Sequence, residues 1–148
     1  MLNCYIVMIR KTAESDYPRL VEIWESAVSA THDFLDRKDF LYYKERLTGY
    51  FEYVSLYGFE KDGVLAGFTG VAEDNIEMLF VHDDFRGKGI GKALLQYAMG
   101  ALHAGKVDVN EQNAQAVGFY MHMGFSIVGR SETDPDGKPY PILHLALK

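Results

Sequence analysis

The chain has 148 residues, 48% of them apolar, with a formal net charge of −6 and a pI near 5.3. That length suits one domain over residues 1–148, and the apolar content supplies a real core and argues against a disordered chain. The acidic balance disfavours a nucleic-acid or anionic-membrane binder, either of which needs a basic face.

In chain order, Cys4 comes first and is the sole cysteine. No intrachain disulfide or Cys-x-x-Cys metal site can form, which fits a reducing cytoplasm. Tyr5 to Arg10 predicts a first strand, and its apolar run is too short for a membrane span. A helix follows from about Ser15 or Asp16, with Pro18 in its first turn. Leu20, Val21, Ile23, Trp24, Ala27 and Val28 recur on one face of it, and it runs out near Thr31-His32-Asp33-Phe34. Lys38 to Tyr53 predicts a second helix, carrying Phe40, Tyr42, Tyr43, Tyr50, Phe51 and Tyr53. Those aromatics pack a core or form a cage for a cation.

Strands over Ser55–Glu60 and Val64–Val71 flank a Lys61-Asp62-Gly63 hairpin turn. Ile76 to Val81 is a strand that leads into a glycine-rich loop. The helix after that loop turns Leu94, Leu95, Ala98, Met99 and Leu102 inward, and Gly105 is expected to end it. Lys106–Asn110 reads as a strand, and Asn113–Met123 as a helix that Gly124 stops. Strands over Ser126–Ser131 and Tyr140–Leu147 close the chain, joined by Asp134-Pro135-Asp136-Gly137. The order predicts an α/β fold: a mixed sheet of about seven strands flanked by about four helices.

The loop Arg86-Gly87-Lys88-Gly89-Ile90-Gly91-Lys92 has the physics of an anion cradle. The first N–H groups of a helix lack partners and sit at the positive end of its dipole. Glycine lets backbone approach a phosphate, and Arg86 and Lys88 add charge. A Walker A run is absent, and the glycines fall as G-x-G-x-G rather than as the dinucleotide fingerprint G-x-G-x-x-G. What remains is Arg-x-x-Gly-x-Gly, matched by Arg86, Gly89 and Gly91; the alternative is an exposed basic turn.

That loop resembles the pyrophosphate loop of the GCN5-related N-acetyltransferases, the GNAT superfamily. A second stretch, Asn113-x-x-Ala116-x-x-x-Tyr120-x-x-x-Gly124-Phe125, resembles the late helix of the same superfamily. Thr31-His32-Asp33-Phe34-Leu35, Val109 to Asn113 and Gly137 to Pro141 are similar to a subgroup of small bacterial GNAT proteins, the YjaB-like proteins.

The resemblance implies acetyl-CoA as cofactor and a splayed central strand pair that admits its pantetheine arm. It implies cofactor contacts from Leu79, Phe80, Val81, Arg86, Gly87, Lys88, Gly89, Ile90, Gly91, Lys92, Asn113 and Tyr120, with backbone N–H groups near Leu79 to Val81 at the oxyanion. Asn113 and Tyr120 stand seven residues apart, two helical turns, and so share a face. Phe119 and Phe125 are expected to face the core.

The implied reaction is N-acetyl transfer to a primary amine by direct attack in a ternary complex. Tyr120 is the candidate general acid, since a phenol of pKa about 10 can protonate a departing thiolate. Glu77 and His32 are the candidate bases; strand parity, which a bulge would reverse, decides whether Glu77 faces the cleft. His32, Asp33, Phe34 and Tyr140 are the candidate acceptor contacts. His144 reads as structural, His122 as pointing away from the cleft and His103 as a surface residue.

The acceptor is a small-molecule amine or a peptide or protein amine, and the aromatic acceptor side tilts toward the small molecule. No metal, nucleic-acid or membrane partner is expected, and the chain is expected to be a cytoplasmic monomer or homodimer. The competing reading is a non-catalytic acyl-CoA-binding sensor or interaction module with the same fold.

Overall fold

A computed structural model describes residues 8–148, so Cys4 and the start of the strand expected at Tyr5–Arg10 lie outside the described residues. The first described strand, β1, is Ile9–Lys11. A short 3-10 turn at Glu14–Asp16 leads into α1, Tyr17–Thr31, and α2 follows at Arg37–Phe51. Then come β2 (Ser55–Lys61), β3 (Val64–Ala72), β4 (Asn75–Val81), α3 (Ile90–Gly100) and β5 (Lys106–Asn110). Helix α4 is Ala114–His122, and β6 (Phe125–Ser131) and β7 (Ile142–Leu147) finish the fold.

The seven strands form one sheet in the order β1-β2-β3-β4-β5-β7-β6. Every described pairing is antiparallel except β4 with β5. Asp62 and Gly63, at φ 53° and 81°, make the β2–β3 turn in left-handed conformations, as a tight hairpin twist requires.

Helices α1 and α2 cover one face of the sheet. Leu20, Ile23, Trp24, Val28, Phe40 and Phe51 pack there on Leu65, Phe68 and Met78. Phe51 meets Phe68 edge-on at 5.9 Å, and burying each such ring contributes about 2–3 kcal/mol. Helices α3 and α4 cover the other face, where Leu95, Ala98 and Tyr120 meet Ile76, Val107, Val109 and Leu145. Asp36 starts α2 by accepting the N–H of Lys38 at 2.8 Å.

Helix α3 does not run to Gly105. It ends at Gly100, because His103 takes the left-handed conformation at φ 56° and the N–H of Ala104 reaches back to the Ala98 carbonyl at 2.9 Å. Helix α4 starts one residue later than expected, with Asn113 as its N-cap, and Gly124 at φ 105° terminates it.

Candidate active site

The sheet splits at its parallel pair. Strands β4 and β5 pair only at Asn75–Lys106 and Ile76–Val107, while β5 stays paired with β7 along its length. From Glu77 to Val81, β4 has no strand on that side. Across the other side, His82 donates its N–H to the Ala66 carbonyl at 2.8 Å. Alternation in an antiparallel pair then turns the N–H groups of Leu79 and Val81 into the gap.

Glu77 is the extra residue of a β-bulge. Val71 pairs with Ile76 and Gly70 with Met78, which leaves Glu77 without a partner in β3. The parity count therefore reverses at this position.

Two clefts approach the gap from opposite faces. A cleft of ≈ 410 Å³ lies between the end of α1, the glycine loop, α3 and α4. Leu79, Phe80, Val81, Arg86, Gly87, Gly89, Ile90, Gly91, Lys92, Asn113 and Tyr120 all line it, which gathers most of the expected cofactor contacts. Lys88 is exposed on the same loop without lining the cleft.

Gly87 and Gly89, at φ 76° and 80°, hold the loop in conformations that side chains resist. Gly89 caps α3 with no side-chain hydrogen bond, so the first-turn N–H groups remain available. A Cβ at Gly87 or Gly89 would meet no atom within 4 Å. An open helix terminus beside Arg86, Lys88 and Lys92 fits a pyrophosphate. Arg86 is steered across the loop by Gln115, at 2.8 Å, and by Asp83, at 3.4 Å.

Asn113 is less free than a mid-helix residue. Its Oδ1 accepts the N–H of Ala116 at 3.2 Å, and its amide N–H groups are left for the cleft. Tyr120 is 6% exposed, and burial pushes its phenol well above the ordinary value. No hydrogen bond among the described residues occupies its hydroxyl, which belongs to a ring lining this cleft. Phe125 is buried as expected, and Phe119 packs against the same core while also lining the cleft.

The second cleft, of ≈ 620 Å³, opens on the α2 face. Its floor is Glu77, Met78, Asp108 and His144; its walls are Tyr43 and Tyr50 of α2, Tyr53 just beyond that helix, and the β6–β7 loop. The α2 aromatics thus divide: Phe40 and Phe51 enter the core, while Tyr43 and Tyr50 face the cleft. A cavity of ≈ 150 Å³ in the strand gap joins the two sides; Glu77, Met78 and Asp108 border it with His32, Asn113 and Tyr120.

Glu77 takes a hydrogen bond from the Asn75 amide, yet partial burial and the nearby Asp108 raise its pKa. His32 caps α1, with Nδ1 2.7 Å from the Thr31 hydroxyl, and burial lowers its pKa against a weaker opposing pull from Asp33.

The other expected acceptor contacts are not brought to the gap. Asp33 is exposed and borders neither cleft, and Asp36 rather than Asp33 caps α2. Phe34 stacks between His32, at 5.1 Å, and Tyr140, at 6.3 Å. Tyr140 lines neither cleft. Its hydroxyl donates to Asp39 and accepts the N–H of Asp36, so it is a buried strut tying the last hairpin to α2. His122 and His103 are exposed, as read from the sequence. His144 stands in the second cleft, between Asp108 and Ser131. These three residues come from three strands, and no local pattern joins them.

Comparison with known proteins decides the family. The family model described as an acetyltransferase (GNAT) domain matches residues 27–140. The chain belongs to the GNAT acetyltransferases. It is 38% identical over 141 residues to the peptidyl-lysine N-acetyltransferase YjaB of Salmonella typhimurium, covering 95% of this chain and 97% of that one. The solution structure of apo-form YjaB from Escherichia coli superposes with a TM-score of 0.84 at 38% identity, over 93% of this chain and 95% of that one. A PaiA N-acetyltransferase from Thermoplasma acidophilum, solved with coenzyme A, shares the fold at a TM-score of 0.68 and 23% identity, over 92% and 96%.

This GNAT chain is thus an acetyl-CoA-dependent N-acetyltransferase with an amine acceptor, and the non-catalytic sensor reading is not favoured. Among the described residues, no helix is long and apolar enough to cross a membrane.

Proposed function

We propose that this GNAT protein acetylates lysine side chains of peptides or proteins, with the donor held in the glycine-loop cleft and the acceptor entering from the α2 face. The observation that carries this reading is the second cleft. It is open, lined by tyrosines and carboxylates, and narrows to the strand gap where Glu77 and Tyr120 border one cavity. A lysine's four-carbon stem suits such a passage, with tyrosine faces along the stem and carboxylates for the ammonium. The YjaB relative, named a peptidyl-lysine N-acetyltransferase, supports a peptide over the small molecule that the aromatic content suggests.

In this reading the α3 N-terminus, Arg86, Lys88 and Lys92 hold the pyrophosphate, and the Asn113 amide steadies the pantetheine arm. Acetyl-CoA supplies the activated acetyl group. The N–H groups of Leu79 and Val81 donate to the carbonyl oxygen as it gains charge, which a preorganised backbone does at little reorganisation cost. Tyr120, kept protonated by its burial, gives its proton to the departing sulfur. Glu77 draws the acceptor ammonium into the α2-face cleft. His32, whose pKa is lowered, presents a neutral ring at the mouth between the clefts.

Both clefts belong to one chain, so a monomer suffices and a homodimer is compatible. One catalytic unit over residues 1–148, working in the cytoplasm, fits the acidic chain. The most basic short stretch, Arg86 to Lys92, is assigned to the donor rather than to nucleic acid or anionic lipid.

The test is acetyl incorporation, read by mass spectrometry, into peptides with a blocked N-terminus and a single lysine. Free lysine, polyamines and Lys→Ala peptides run beside them. Transfer to the lysine ε-nitrogen is the expected result. Turnover of small amines alone, with peptides inert, would overturn the peptide reading.

A further inference from the structure

The acceptor cleft holds three side chains that the steps above leave unused. His144 on β7 has Nδ1 2.6 Å from Asp108 Oδ1 on β5 and Nε2 2.7 Å from Ser131 Oγ on β6. Asp108 and His144 are direct partners in the β5–β7 ladder, and Gly129 pairs with His144 from β6. A Cβ at Gly129 would lie 3.5 Å from the imidazole, so the ring packs against that glycine. Asp108, Ser131 and His144 all face the cleft, and Asp108 also borders the cavity in the strand gap.

The short contacts fix the order of donors. A ring nitrogen and a carboxylate oxygen 2.6 Å apart need a proton between them. Nδ1–H therefore donates to Asp108, and a ring that carries a single proton has its lone pair on Nε2. The hydroxyl of Ser131 is then the donor to Nε2. This is the sequence of partners by which a hydroxyl passes a proton to an imidazole held by a carboxylate. Ser131 lies in the β6–β7 ladder opposite Ile142, not at a sharp turn or a helix N-terminus where N–H groups converge. An acyl-serine would have no oxyanion donors there, so the array is suited to moving protons and not to holding an acyl group.

We propose that Ser131, His144 and Asp108 are the proton acceptor for the amine while it crosses the α2-face cleft, before it enters the gap that Asp108 alone of the three borders: Ser131 takes a proton from the acceptor ammonium as its own passes to His144 Nε2, and Asp108 holds the resulting imidazolium. This rests on the reading of the α2-face cleft as the acceptor site.

The balance closes. One ammonium N–H bond breaks, the serine hydroxyl re-forms, and the imidazole gains a proton that it later yields to solvent. The freed nitrogen lone pair forms the C–N bond as the C–S bond breaks and Tyr120 protonates the sulfur. The second nitrogen proton returns to Tyr120. Each turnover releases one proton, with no change of oxidation state.

Such a group is needed because an alkyl ammonium of pKa about 10.4 is almost wholly protonated at pH 7. The other titratable groups facing this cleft are Glu77 from β4, Asp134 and Asp136 from the β6–β7 loop, Tyr43 and Tyr50 from α2, and Tyr53 just beyond it.

The test compares kcat/KM against pH for the whole chain, His144→Gln and Ser131→Ala. The acceptor is whichever amine the unmodified chain turns over fastest. If the lysine-peptide reading fails, that choice falls on a small amine and this comparison still stands. Each variant should lose about 10²-fold at pH 7 and recover about tenfold per pH unit as the amine becomes neutral by itself. An analogue with a less basic amine, such as an aminoethyl-thioether in place of the lysine stem, should lose less. Acetyl-CoA affinity, read by calorimetry, should not move. An unchanged profile in both variants would overturn the proposal. So would a loss that is equal at every pH and for both amines, because that is the mark of a structural role.

Discussion

Ile76 and Met78, two positions apart on β4, project to opposite faces of the sheet. Ile76 packs with α3 and α4, while Met78 packs with α1 and α2. Regular alternation would put both on one face. The bulge at Glu77 absorbs the difference, and pairing with β5 stops at the adjacent residue, Ile76. One extra residue thus opens the gap, lays Glu77 in the second cleft and turns the N–H groups of Leu79 and Val81 into the gap.

Glu77→Gln keeps the side-chain shape and removes the charge. It should raise the acceptor KM about threefold to tenfold and leave acetyl-CoA affinity unchanged. Because burial raises the Glu77 pKa, the unmodified chain should lose acceptor affinity on acidification at a pH above the ordinary carboxylate value of 4.5. Glu77→Gln should be insensitive over that window. Steady-state kinetics at several pH values checks both.

Tyr120→Phe retains the ring that packs on Phe119 and Phe125 and removes only the hydroxyl. The expected outcome is a fall in kcat of about 10²-fold with the dissociation constant of acetyl-CoA unmoved. Calorimetry and CoA release, run on one preparation, separate the two quantities.

Two glycines should respond to alanine for different reasons. At Gly67 a Cβ would lie 2.9 Å from the Phe80 carbonyl oxygen and 3.1 Å from a Leu94 methyl, so β3 and β4 would have to part. Gly67→Ala should cost about 1–3 kcal/mol in chemical denaturation. At Gly89 there is space, but φ is 80°, and alanine should cost about 1–2 kcal/mol through backbone strain alone. Gly89→Ala should also weaken acetyl-CoA binding, because the N–H groups of α3 would be misaimed.

His32 ties stability to pH. Burial lowers its pKa from the ordinary 6.5, so the unfolded chain takes up a proton before the folded chain does. Stability from this group is therefore level above about pH 6.5 and declines as pH falls below it, until the folded ring also titrates. Melting temperatures from pH 7.5 to pH 5 should fall less steeply in His32→Gln than in the unmodified chain.

The sequence carried the fold and the donor half of the site because their signals are local. Glycines at a strand-to-helix turn, and Asn113 and Tyr120 at helical spacing, act within a few residues of each other. The acceptor half depends on register. Asp108, Ser131 and His144 meet only because β5, β7 and β6 pair as they do, and nothing along the chain announces that pairing. The place of Tyr140 is likewise set across the fold, where its hydroxyl pairs with Asp39 and with the N–H of Asp36. The end of α3 was misplaced because His103, not a glycine, adopts the left-handed position.

The central claim is that donor and acceptor reach one gap from opposite faces and react there together. The direct measurement is initial velocity with a single-lysine peptide and acetyl-CoA varied against each other, read as CoA release. Intersecting double-reciprocal lines are predicted, since both substrates must be bound before transfer. Parallel lines, with an acetylated form of the protein isolable in the absence of peptide, would contradict it.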